Sequence, residues 1–282
     1  MAVMGMAVVL RTSQPQHAIV NNTESEAEIR RLREKIQDYI PGNWTVRDAG
    51  KGFKRPSKVR LGVFGLQDSG KSAFLNSFHF AYKGVWEQVY IESNSVGHGG
   101  ETLFRDPAKL TDQVITFDTR GLSDLGTTKV SDVMDEITGK RGINPRSWTT
   151  GERIDCPIFI LKYNSDTGIG HFRDFLSSLV PRIRQEFGSY PIMVVTFTKS
   201  ILNQDEIICE ITRAGMEKNG VFFTENYTAS NHEMDSKKHI ALLKILEACI
   251  KRADDNITFR WRKDNEPMPK STLSQQVEST FV

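Results

Sequence analysis

The chain has 282 residues, 38% of them hydrophobic and 26% charged, with 37 basic residues against 35 acidic ones for a net charge of +2. That length admits one sizeable α/β domain with flanking segments, and the balanced charge argues against nucleic acid or an anionic membrane as partner. No stretch approaches the roughly 20 apolar residues of a membrane helix, so no membrane insertion is expected.

Residues 1–22 show no periodicity and are expected to be disordered. Thr23 and Glu26 then offer a capping box, and Ile29, Leu32, Ile36 and Ile40 form a helical stripe that Pro41 stops. A Gly-, Lys- and Pro-containing connector follows to residue 58. From Val59 short apolar runs alternate with helical patterns. VRLGVF, QVITF, CPIFILKY, YPIMVVTF and GVFFTEN read as buried parallel strands, and EQVYIE (Glu87 to Glu92) as an edge strand. Helices are expected over Lys71–Tyr82, Val130–Gly139, His171–Phe187, Asp205–Asn219 and Lys237–Ala253, and a disordered tail over 258–282. The alternation predicts an α/β fold of three layers over residues 59–257, a mostly parallel central sheet with helices on both faces. Cys156, Cys209 and Cys249 lack metal-ligand spacing and read as buried structural thiols of a reducing, cytoplasmic setting.

Between the first strand and the helix after it lies GLQDSGKS, Gly65 to Ser72, with the spacing G-x-x-x-x-G-K-S of a phosphate-binding loop. Gly65 and Gly70 let the backbone wrap closely, so that amides from Asp68 through Ala73, Ser69 included, can hold phosphate at a helix start. Lys71 would reach the β- and γ-phosphates, and the Ser72 hydroxyl would coordinate Mg²⁺. DTRG, Asp118 to Gly121, follows the next buried strand; Asp118 would orient the metal through water, and the Gly121 N–H would meet the γ-phosphate. The catalytic candidates are thus Lys71 and Gly121.

After Gly121 comes Leu122, where hydrolysing switch proteins carry a water-orienting glutamine, so turnover is expected to be slow. Guanine recognition by N/T-K-x-D is met only in part: Thr198 and Lys199 are in place, but Ile201 stands at the aspartate position, with Asp205 four residues on as a substitute. The choice between guanine and adenine stays open at this point. Thr102 is the candidate metal-covering hydroxyl of the intervening loop, with Ser95 as its alternative; His98 reads as a loop histidine. Asn226 to Ser230, after the last strand, can bring main-chain N–H groups to the base.

The run from Val59 to about Ile257 resembles the interferon-induced protein 44 family of P-loop GTPase-like proteins, through VRLGVFGLQDSGKSAFLNSF, TFDTRGLSD, VMDEITGKRG, TENYTAS and HIALLKILEACIKRADDNI. The resemblance implies a cytosolic protein associated with GTP or GDP and Mg²⁺ and linked to innate immune responses. It also implies that Gly65, Gly70, Lys71, Ser72, Asp118, Gly121, Thr198 and Lys199 carry nucleotide and metal binding. Two classes remain: a slow GTP-controlled switch that engages a protein partner or self-associates, and a nucleotide-binding scaffold without turnover.

Overall fold

The computed structural model describes residues 16–44, 53–92, 105–122, 127–140, 152–164, 169–201 and 203–265. Its strands are β1 (Val59–Gly65), β2 (Asp106–Lys109), β3 (Val114–Asp118), β4 (Cys156–Lys162), β5 (Ile192–Thr196) and β6 (Val221–Phe223). They form one sheet in the order β2-β3-β1-β4-β5-β6, parallel throughout except for β2, which runs antiparallel to β3. β1 is therefore central, with the carboxyl ends of β3 and β4 on either side of its own.

The inner strands are apolar at nearly every position because both faces are covered. Val63, Ile158, Ile160 and Val194 join the cluster made with α1 (Gln16–Gln37), α2 (Lys71–Lys83) and α6 (Ser236–Asn265). Their neighbours Phe64, Phe159, Leu161 and Val195 join the cluster made with α3 (Thr127–Ile137), α4 (Gly170–Phe187) and α5 (Gln204–Arg213). Successive side chains thus alternate between two cores, which is the reason for the unbroken hydrophobic runs. Each fully buried aliphatic or aromatic side chain contributes about 2 kcal/mol. The result is the three-layer α/β fold expected.

Several expectations are corrected. EQVYIE is not a strand: Tyr90 is buried, and the Asn76 side chain takes the place of a neighbouring strand. Its Oδ1 accepts from the Val89 and Tyr90 amides at 3.0 and 2.8 Å, while its Nδ2 donates to the Tyr90 carbonyl. The edge strand is instead β2, whose sequence DPAK is polar because it faces water; Pro107 is tolerated there since an edge strand leaves some amides unpaired. α1 begins at Gln16, ahead of Thr23. α6 continues past Ala253 to Asn265 because Asp254, Asn256 and Thr258, polar but buried, are each hydrogen-bonded. Cys209 is exposed, unlike Cys156 and Cys249. It lies two residues from both Ile207 and Ile211, the buried positions of α5, and so faces away from the core.

Among the described residues two histidines are buried in the α2–α6 layer. His79 meets the Thr116 hydroxyl at 3.1 Å, and His239 meets the Tyr227 hydroxyl at 2.7 Å. Burial lowers the pKa of each from 6.5 to about 4, with Lys83 adding to the effect at His79 and Arg33 at His239. The unfolded chain therefore binds protons first as pH falls below 6.5, and stability drops between pH 6.5 and 4 by up to about 3 kcal/mol per histidine. Urea unfolding at pH 7.5, 6 and 5 should show this decline, smaller in His79→Asn; midpoints that stay level across the range contradict it.

Candidate nucleotide-binding site

β1 ends in Gly65 (φ 155°), where a Cβ would lie 2.5 Å from the Ile160 carbonyl oxygen. The chain then turns through Asp68 (φ 57°) and Gly70 (φ 86°) into α2. Aspartate is among the few side-chain-bearing residues that adopt this left-handed conformation readily. The loop is tied down from three sides. The Thr196 hydroxyl donates to the Ser69 carbonyl and the Asn226 side-chain amide to the Gly70 carbonyl, both at 3.1 Å. Gln67 N–H donates to the Leu122 carbonyl and Leu122 N–H to the Gly65 carbonyl, both at 3.0 Å. Gly121 lies flush on the same loop: a Cβ there would stand 2.7 Å from Gln67 Cα.

α2 has no side-chain cap and no acidic residue in its first turn. The amides of Lys71, Ser72 and Ala73 thus have no acceptor within the helix, and the ladder opens with Phe74 N–H to the Gly70 carbonyl at 2.9 Å. Together with the positive end of the helix dipole they form a site for an anion. The buried Ser69 Oγ and Asn226 Oδ1 have no hydrogen-bond partner among the described residues. Left so, each costs about 1–3 kcal/mol, which a polar ligand recovers.

Lys71 is 7% exposed, and its Nζ donates to the Leu66 carbonyl at 3.0 Å. Burial lowers its pKa, against the opposing pull of the Asp118 and Asp68 carboxylates. Ser72 Oγ donates to Asp118 Oδ2 at 2.5 Å. The parallel register Val63↔Asp118 brings the end of β3 beside the loop and makes that contact possible. The fold thus gathers Gly65, Asp68, Ser69, Gly70, Lys71, Ser72, Ala73, Asp118 and Gly121 at one place. Thr102, its alternative Ser95, and His98 lie outside the described residues.

An oxygen-only pair of one hydroxyl and one carboxylate fits Mg²⁺, which takes few protein ligands and fills its shell with phosphate and water. Among the described residues no group of three or more His, Cys, Asp or Glu side chains could hold a metal by itself.

Thr198 and Lys199 form a short 3-10 turn at the end of β5, entered through Phe197 (φ 60°), whose ring lies close to Gly70. Ile201 packs against the α3–α4–α5 cluster, and Asp205 is exposed in the first turn of α5. The substitution expected of Asp205 is therefore not what the fold provides. The carboxylate that meets this turn is Glu225, which accepts from the Thr198 hydroxyl at 2.9 Å and from the Lys199 N–H at 2.8 Å. The expectation from sequence covers only main-chain donors from Asn226 on; the signal for Glu225 is the polar pair Glu225-Asn226 at a strand's carboxyl end. Leu122 is 8% exposed, its side chain in the α3–α4–α5 cluster and its main chain zipped to the phosphate loop.

Fold and site together define an α/β protein with a phosphate-binding loop between its central strand β1 and α2. No family model matches the chain, and no curated protein matches it. Among solved structures it is similar to a dimerization-deficient mutant of Toc33 from Arabidopsis thaliana (12% identity, 82% of this chain and 92% of that one, TM-score 0.47). It is also similar to Aquifex aeolicus Era bound to GDP and AlF4⁻ (20% identity, 70% of this chain and 57% of that one, TM-score 0.41). A third is the Arl6 small GTPase of Trypanosoma brucei with bound GppNp (12% identity, 71% and 99%, TM-score 0.40). Likeness at such identities is silent on chemistry, which rests on this chain's own residues.

Proposed function

We propose that the chain binds a guanine nucleotide with Mg²⁺ and acts as a slow GTP-controlled switch. Its setting would be the cytoplasm, in innate immune responses of the kind suggested by its resemblance to the interferon-induced protein 44 family. The observation that carries the reading is the junction of Lys71, Ser72 and Asp118 beneath the uncapped amides of α2, with Ser72 and Asp118 2.5 Å apart. Those amides and Lys71 would hold the phosphates, and Ser72 and Asp118 would hold Mg²⁺, which supplies charge neutralisation between the phosphate oxygens. Gly121, pressed against Gln67, places its main chain at the loop's edge, where a γ-phosphate can draw it.

The buried Leu122 side chain supports slow chemistry, since it has no group that could align a water. Intrinsic turnover should lie below about 10⁻³ s⁻¹. The same residue favours a second reading, a nucleotide-binding scaffold with no turnover that a protein partner reads, as a heteromer or a self-associated pair.

Calorimetry with Mg·GTP and Mg·ATP is expected to show GTP binding the more tightly. Phosphate release followed over hours should then be slow and should fall further in Ser72→Asn. Absence of heat with either nucleotide at millimolar concentration overturns the proposal, and release equal in wild type and variant selects the scaffold.

A further inference from the structure

At the carboxyl edge of the sheet the segment after β6 is held more firmly than an ordinary loop. Thr224 N–H continues the pairing with β5 by donating to the Val195 carbonyl at 3.0 Å. Tyr227 is fully buried, edge-on to Phe80 and His239, and its N–H donates to Ser77 Oγ at 2.8 Å. Between these two anchors lie Glu225 and Asn226, and Asn226 is bonded to the phosphate loop through the Gly70 carbonyl. A residue one step from that bond is within a nucleotide's length of the phosphate site.

The carboxylate of Glu225 is seated on the turn that follows β5. Both donors of that turn, the Thr198 hydroxyl and the Lys199 N–H, converge on one oxygen, Oε1. An ionised carboxylate offers about four lone-pair sites on two oxygens. Two are used, and Oε2 keeps acceptor capacity. The position where an aspartate would normally read the base holds Ile201, partly buried against the α3–α4–α5 cluster, and Asp205 is exposed on α5.

Guanine presents two adjacent donors on its pairing edge, N1–H and the N2 amino group, whereas adenine presents an acceptor at N1. A carboxylate beside that edge therefore favours guanine by two charge-assisted hydrogen bonds and meets adenine with lone pair against lone pair. We propose that Glu225, supplied by the loop after β6 and oriented by Thr198 and Lys199, is the base-reading acceptor of this protein and the source of guanine selectivity. The proposal rests on the nucleotide-binding reading of the phosphate loop.

The test is direct binding of GDP, ADP, IDP and XDP, each with Mg²⁺, to wild type, Glu225→Gln and Glu225→Ala. Wild type should bind GDP at least tenfold more tightly than ADP, with IDP, which lacks the N2 amino group, in between. Glu225→Gln keeps an oxygen for Thr198 and Lys199 but turns an N–H₂ toward the base. It should bind GDP about tenfold more weakly and XDP, with a carbonyl at C2, more tightly than wild type does, a gain that misfolding cannot produce. Glu225→Ala should bind GDP and ADP alike. Variants that keep the wild-type order of affinities overturn the role of Glu225 and leave the phosphate loop standing. A wild type that binds none of the four overturns both.

Discussion

Lys71→Met is expected to lower affinity for Mg·GTP by at least a hundredfold while the protein stays folded and equally or more heat-stable. The side chain is almost wholly buried, and its ammonium donates to the Leu66 carbonyl, with the Asp118 and Asp68 charges as counterweights. Desolvation is the largest influence on it and works against the charge, so the protein holds a cation there at a cost to its own stability. Methionine keeps the apolar stem and removes the charge, which relieves that cost. A polyphosphate loses a buried ammonium partner, and a charged hydrogen-bonded contact of this sort is worth about 2–5 kcal/mol. Thermal melts give a second readout. Nucleotide at a hundred times the wild-type Kd should stabilise wild type by about 2.7 kcal/mol and the variant by about 0.4 kcal/mol or less. Equal Kd values for the two proteins would show that Lys71 is a structural lysine and that the anion, if any, binds elsewhere.

The phosphate loop was legible because its information is local. Gly65 and Gly70 are dictated by backbone conformation and by the Ile160 carbonyl next door, and Lys71 and Ser72 follow from where a helix must start. Asp118 was legible for a similar reason: a parallel strand beside β1 must end near the loop. The strands buried on both faces announced themselves by composition, Ile158 to Leu161 most clearly, since each residue feeds one of two cores. What stayed hidden depends on partners distant in sequence. The Tyr90 segment reads as a strand because Val89, Tyr90 and Ile91 are residue types that favour a pleat, yet its backbone bonds go to Asn76. β2 reads as loop because an exposed edge strand needs no apolar face. Glu225 is marked in the sequence only by its place beside Asn226 at a strand's end, because its orientation is fixed by Thr198 and Lys199, on the loop after another strand. The boundaries drawn at residues 22 and 257 fall inside α1 and α6, because a polar residue such as Asp254 reads as surface unless its donors are known.

Those donors lead to a large loss of stability in Asp254→Ala, about 3–5 kcal/mol. Asp254 has no exposed surface, and its carboxylate accepts the Tyr39 hydroxyl together with the Gly42 and Trp44 amides, the latter two at 2.8 and 2.9 Å. The three donors come from the segment that follows α1, so one side chain of α6 pins the chain where it leaves the N-terminal helix. Burial and the adjacent carboxylate push the Tyr39 hydroxyl well above its ordinary pKa, which keeps it a donor at every relevant pH. Trp44 then packs edge-on against Tyr39 with centroids 4.9 Å apart. Alanine removes every acceptor at once and leaves two main-chain N–H groups and a hydroxyl facing a cavity. For a chain of this size the expected fall in melting temperature is about 10 °C. Asp254→Asn, which keeps one acceptor oxygen but sets an N–H₂ against a donor, should fall in between. If α1 belongs to the same cooperative unit as the sheet, calorimetric unfolding stays a single transition that moves as a whole. A variant that melts within a degree or two of wild type, or one that acquires a separate early transition, would show that the helix is an appendage and that the clamp at Asp254 does not hold the domain together.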